Sequence, residues 1–121
     1  LNQNLKNLKN IIKKRIKNAK LYENNLTNKI KKPPFKSDFQ HVYYTYSILC
    51  ENRDKLRKYL IDKKGIETKI HYTKTLDSQN TGQYPNAENI CAKALSLPIY
   101  PHLKMSEVNY ICDRIKEFVY V

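Results

Sequence analysis

The 121-residue sequence predicts an α/β fold, a two-layer sandwich in which a small three-stranded sheet is covered by helices and preceded by a long N-terminal helix. Three observations predict it. Leu5, Leu8, Ile12, Arg15, Ala19, Tyr22 and Leu26 recur at alternating steps of three and four, the spacing that lines residues up on one side of a helix. From His41 to Cys50 the period switches to two, with Val42, Tyr44, Tyr46 and Ile48 on one face and Tyr43, Thr45, Ser47 and Leu49 on the other, as in a strand rich in β-formers. Beyond that point strand-like and helix-like stretches alternate over short connections, giving the order αβαβαβα.

The first helix carries lysines between its apolar positions, and these face away from the stripe. Arg15 interrupts the stripe and must either snorkel its charge to the edge or meet an acidic or phosphate partner. Pro33 and Pro34 close the helical stretch, because they remove backbone donors and push the preceding residue toward extended geometry. The organisation expected is therefore a long helix over 1–32 and a compact domain over 33–121.

After the His41–Cys50 strand, Asn52 or Asp54 can cap a helix whose apolar residues are Leu56, Tyr59 and Leu60, with Gly65 as its left-handed stop. Ile66 to Tyr72 reads as a second strand. Residues 73–84 mix Thr, Ser, Asn, Asp and Gly and read as a surface loop. Asn86 can cap a short helix expected to bury Ala87, Ile90, Cys91 and Ala94. Leu95 to Ile99, interrupted by Pro98, reads as an edge strand. The last helix is expected to have a Ser106 cap, a staple between Met105 and Tyr110, and an apolar face of Val108, Ile111, Cys112, Ile115 and Phe118.

A 40% hydrophobic content at this length supplies one modest core and not two. No apolar run approaches the ~18–20 residues that span a bilayer, and the Lys/Asn-rich start lacks the centre of a secretory signal, so a soluble cytoplasmic protein with no membrane partner is expected. The chain opens on Leu1 instead of Met, as a trimmed chain or a piece of a longer protein would. Cys50, Cys91 and Cys112 are odd in number and widely spaced, which suggests buried thiols over a disulfide framework or a metal site. The net charge of +12 is uneven: residues 1–36 hold eleven Lys/Arg against Glu23 alone, and the remainder holds twelve bases and ten acids. Such a block raises a nucleic-acid reading, which a solvated helix face outweighs.

Several chemistries lack their residues. Two glycines, Gly65 and Gly82, cannot supply a GxGxxG turn or a P-loop. His41, His71 and His102 lie far apart, and no HExxH or Cys/His cluster offers metal ligands. No GxSxG elbow occurs, and no cysteine has a neighbouring His or Asn to make it a nucleophile. On its own residues the chain does not read as a complete enzyme.

The stretch HVYYTYSILCENRDKLRKYLIDKKGIETKIHYTKTLDSQ, followed by YPNAENICAKALSLPIYPHLKMSEVNYICDRIKEFV, resembles the C-terminal domain of the DegT/DnrJ/StrS family of nucleotide-sugar aminotransferases. Its most specific pieces are Arg53-Asp54 leading through Leu56 and Leu60 to Gly65-Ile66, then His71-Tyr72, then Leu95 to Leu103. The opening helix is similar to the segment that links that family's large and small domains. The resemblance implies the small domain of a fold-type-I enzyme. It implies a parent that binds pyridoxal phosphate (PLP) on a lysine of a large domain, shares its active sites with a second subunit, and transfers an amino group to a keto-sugar on a nucleotide diphosphate. This chain alone is then expected to bind no PLP. Thr73, Thr75 and Asp77 replace the prolines and second histidine that commonly follow His71-Tyr72, and Tyr44 stands where many relatives have His.

No catalytic residue is expected here. The resemblance implies substrate contacts at His71, and more weakly at Tyr72 and Lys74. His71 ends a strand beside a polar loop, where α/β folds often present site residues, and its alternative is a histidine bonded within the domain. Lys74 could meet a diphosphate as a point charge, or be a solvated lysine. His102 reads as a turn residue. The ten tyrosines could be base-stacking platforms, but their placement beside apolar residues makes most of them core or half-buried. Behind the aminotransferase reading stand a basic nucleic-acid-binding module and a noncatalytic interaction remnant.

Overall fold

The computed structural model describes residues 2–34, 41–71, 82 and 84–120. Helix α1, Asn2–Asn25, buries Ala19 and Tyr22 from its predicted stripe, and Leu26 just beyond it, while Leu5 and Leu8 remain 57% and 51% exposed. The helix stops short of the expected residue 32. Asn and Thr side chains compete for backbone groups at this point. Thr27 accepts from Ile30 N–H through its carbonyl and from Lys29 N–H through its hydroxyl, and the chain turns so that Lys31 bridges Leu49.

Strands β1, Tyr46–Leu49, and β2, Ala94–Leu97, form an antiparallel pair in the register Tyr46↔Leu97, Ser47↔Ser96, Ile48↔Leu95 and Leu49↔Ala94. Opposed residues share a face, so Tyr46, Leu97, Ile48 and Leu95 all turn into the core. Two corrections follow. Ile66–Tyr72 is not a third strand among the described residues: it contributes a single bridge, Lys69↔Ser96. Continuing that register would pair Glu67 with Pro98, which has no N–H, and His71 with Ala94, whose N–H already bonds Ile90 at the end of a helix. The ladder is cut on both sides. The second correction is to the bounds of the last strand: β2 is an edge of the two-stranded sheet, as expected, but it runs over Ala94–Leu97 and ends before Pro98 rather than reaching Ile99.

Helix α2, Arg53–Lys58, runs into a π-helical turn at Tyr59–Lys63. Gly65 ends it at φ +66°, as expected, with Ile66 N–H donating to Leu60 O at 2.8 Å. Asn52 occupies the N-cap position but makes no side-chain capping bond. Helix α3, Pro85–Lys93, starts with the proline at its first position and with Tyr84 rather than Asn86 as cap. Among the described residues it buries none of its own: of the face expected to be buried, Ala87 and Ile90 are exposed, Ile90 at 51%, and Cys91 and Ala94 are half-buried. Helix α4, Met105–Tyr120, buries Val108, Ile111, Cys112 and Ile115 as its periodicity predicts. The Ser106 cap and the staple are not formed. Met105 and Tyr110 are exposed, and the Lys104 carbonyl accepts the first bonds, from Glu107 and Val108 N–H at 3.0 Å.

One core joins these elements. Tyr22 of α1 stacks on Tyr46 of β1 at 4.9 Å, and Ile48, Leu56, Leu60, Leu95, Val108 and Ile115 complete its fully buried part. Cys50 and Cys112 are buried free thiols, while Cys91 is half-buried. Arg53 is buried and fixes the helix-to-strand junction: its Nη1 donates to Cys91 O at 2.7 Å and Ala94 O at 3.1 Å, and its Nε to Asp54 at 2.8 Å.

Candidate functional site

The site grows from the turn that precedes β1. The predicted strand from His41 does not form up to Tyr46, because Tyr43 sits at φ +53°, a left-handed conformation costing a non-glycine residue about 1–2 kcal/mol. Local and distant groups hold it there. Tyr43 N–H donates to His41 Nδ1 at 2.9 Å, and the two rings stack at 4.2 Å. From α1, Arg15 Nη1 donates to the carbonyls of Tyr43 and Tyr44 at 3.3 and 3.1 Å. Arg15 therefore spends its charge on backbone carbonyls, and its guanidinium also lies 5.8 Å from the Tyr44 ring centroid. The break reverses the expected exposure of the N-terminal half of the strand: Val42 and Tyr44 face solvent, Tyr44 at 78%.

Two clefts open beside this turn. One, of about 330 Å³, is lined by Arg15, Tyr44, Glu67, Lys69, His71 and Tyr100 among others. The other, of about 400 Å³, runs over Ser47, Leu49, Ile90, Cys91 and Ala94. They share a wall of Tyr44, Thr45, His71 and Ser96. His71 is exposed and lines both clefts. Tyr72 and Lys74 lie outside the described residues. His102 is exposed in a turn closed by Leu103 N–H to Tyr100 O at 3.1 Å.

The clefts offer binding groups of both signs. Lys69 and Arg15 are cationic and Glu67 is anionic. Burial and the bond to Glu107 raise the phenol of Tyr100, so it stays protonated at neutral pH and offers a contact, not proton transfer; outside the clefts, burial and secondarily Glu23 raise that of Tyr43. The expectation that most tyrosines are core or half-buried holds for four of the nine described: Tyr22 and Tyr46 are buried and Tyr43 and Tyr59 half-buried, but Tyr44, Tyr84, Tyr100, Tyr110 and Tyr120 are exposed. Arg15 was legible as an anomaly in an apolar stripe. Tyr44 was hidden by strand alternation that the Tyr43 turn interrupts.

PLP requires a lysine at its aldehyde carbon, an acid at its pyridine nitrogen and close donors for its phosphate. The lysine and the carboxylate that line the clefts do not supply that set. Glu67 and Lys69 are two apart on one extended segment and project to the same side, so they cannot bracket opposite ends of a ring. Gly65 stands at the carboxyl end of a helical turn, where carbonyls and not N–H groups point outward, and the Gly82 N–H already donates to Glu88 at 2.8 Å, so neither offers a phosphate donor.

The sequence model of the DegT/DnrJ/EryC1/StrS aminotransferase family matches residues 1–116. The chain is 36% identical over 86 residues to a pleiotropic regulatory protein of Geobacillus stearothermophilus, covering 64% of this chain and 23% of that protein. It is 33% identical over 108 residues to GDP-perosamine synthase of Escherichia coli O157:H7, covering 83% and 29%. Its fold superposes on S. venezuelae DesV, solved in complex with a ketimine intermediate, with a TM-score of 0.88 and 28% identity, covering 97% of this chain and 34% of that one. The chain thus spans about a quarter to a third of the length of these relatives.

Proposed function

The chain belongs to the DegT/DnrJ/EryC1/StrS aminotransferase family, and from that premise we propose that it is the small C-terminal domain of a PLP-dependent aminotransferase acting on a nucleotide-linked keto-sugar. In this reading residues 1–32 link it to a large domain and residues 33–121 form the small domain. The large domain supplies the cofactor and its lysine, a second subunit completes the site, and this chain alone binds no PLP. Its own part is to wall the substrate cleft, with His71, Tyr72 and Lys74 toward the nucleotide sugar. The compartment expected is the cytoplasm, and no described helix is long and apolar enough to cross a membrane.

The observation that carries the proposal is the pairing of a likeness running from α1 through α4 with a half-covered α1. Its C-terminal half packs on α4, where Asn25 donates to Asn109 at 3.1 Å, while Leu5, Leu8 and Ile11 are exposed. An apolar helix face of that kind is suited to burial against another domain. Nucleic acid is the weaker partner: Tyr22 of the basic helix and Tyr46 stacked on it are buried and cannot stack bases, which leaves Tyr44 as the exposed ring beside Arg15 where a nucleic acid would need a run of them.

The coding sequence immediately upstream tests the proposal. It should encode a fold-type-I large domain with a lysine placed for PLP. An upstream region without such a domain would sink it.

A further inference from the structure

Resting on that reading, we propose that Tyr44 is a nucleobase-stacking residue and Arg15 the positioning residue that aims it, so that the shared wall of the two clefts binds the nucleoside diphosphate end of the substrate. Tyr44 has the features such a platform needs. Its ring is 78% exposed at the mouth of a cleft, and Arg15 lies over one face at 5.8 Å from the centroid, so a planar ligand would take the opposite face. The ring cannot drift freely, because its backbone follows a left-handed Tyr43 whose carbonyl, with that of Tyr44 itself, is held by Arg15 from a helix 28 residues earlier. Structures hold such conformations where the surroundings over-determine them.

The charges beside the ring suit the rest of a nucleoside diphosphate. Arg15 and Lys69 line the same cleft against the single carboxylate of Glu67, and among the described residues the Arg15 bonds to the Tyr43 and Tyr44 carbonyls use Nη1, which leaves the Nη2 donors of the guanidinium. His71 and Tyr100 add polar edges. Stacking on an aromatic face tolerates any base, so this arrangement recognises a nucleotide without selecting which one.

The test is calorimetric titration of the 121-residue chain with GDP and, separately, with inorganic pyrophosphate, alongside NMR of the Tyr44 and His71 side chains. GDP should bind saturably and shift both side chains. Tyr44→Ala should weaken GDP by about fivefold or more and leave pyrophosphate unchanged, while Tyr44→Phe should stay within about twofold of the unmodified chain. Arg15→Lys keeps the charge but loses the two-carbonyl clamp. It should weaken GDP more than pyrophosphate and move the Tyr44 ring resonances toward those of an unstructured chain, with the fold retained by circular dichroism. Absence of saturable GDP binding, or equal loss of GDP and pyrophosphate in Tyr44→Ala, overturns the inference. Amino transfer by the complete enzyme with an unchanged KM for nucleotide sugar in Tyr44→Ala would remove this inference and leave the proposed function standing. The Tyr44 signature without any amino transfer would do the reverse.

Discussion

The hydroxyl of Tyr22 on α1 donates to the carbonyl of Pro98 at 2.6 Å, joining the first helix to the residue that follows β2. Tyr22 is fully buried, so this bond fixes α1 against the sheet at the point where its covered half begins. Tyr22→Phe leaves the ring and its stack on Tyr46 in place and strands the carbonyl. The expected cost is about 1–2 kcal/mol, read as a fall of roughly 4–8 °C in Tm by calorimetry. An unchanged Tm would show that α1 is not held there.

Arg53 should matter more than its place on a charged helix suggests. Its bonds to Cys91 and Ala94 carbonyls satisfy the end of α3 where the chain enters β2. Arg53→Ala should cost about 2–3 kcal/mol in a denaturant titration, with Arg53→Lys intermediate because a lysine lacks the fork geometry. Equal stability of Arg53→Lys and the unmodified chain would mean that charge alone suffices.

Alkali should unfold the chain early. Burial, with a smaller contribution from Asp113, raises the Cys112 thiol from 9.0 to about 12, and burial raises the phenols of Tyr22 and Tyr46 above 10.0. The unfolded chain gives up these protons first, so the folded state binds more protons and stability falls as pH rises. The contribution of Cys112 is complete below pH 9 and is lost between about 9 and 12. Urea titrations from pH 8 to 11 should show the decline, and Cys112→Ala should move its onset toward pH 10, where the tyrosines begin.

The uncovered half of α1 predicts association of the isolated chain. Leu5, Leu8 and Ile11 are 57%, 51% and 37% exposed. Sedimentation should show concentration-dependent self-association that Leu5→Glu with Leu8→Glu abolishes, at a stability change within about 0.5 kcal/mol. A strictly monomeric chain at high concentration would contradict a face built to be covered.

Much of this architecture was legible because it is local. The stripe ending in Ala19, Tyr22 and Leu26, the α4 face from Val108 to Ile115, and the stop at Gly65 follow from periodicity and one left-handed glycine. What was missed depends on partners far away in sequence. The first half of the expected β1 is undone by Arg15 reaching Tyr43 and Tyr44, and the third strand is stopped by Pro98 and by the last bond of α3 at Ala94. The exposure of His71 agrees with a site position, yet its neighbours Tyr44 and Arg15 were visible only as a strand tyrosine and a misplaced charge. The apolar pattern of α3 could not reveal that, among the described residues, none of its side chains is fully buried.

Amino transfer in the complete enzyme tests the central claim most directly. The chain joined to its large domain, supplied with PLP, glutamate and a nucleotide-linked keto-sugar, should yield the amino-sugar by mass spectrometry. The 121-residue chain alone should yield none. His71→Ala should lower kcat/KM for the nucleotide sugar while folding stability stays within about 0.5 kcal/mol of the unmodified protein, as expected for an exposed contact residue. Amino transfer by the isolated chain, or a joined enzyme that makes no amino-sugar from any nucleotide-linked keto-sugar, would contradict the account.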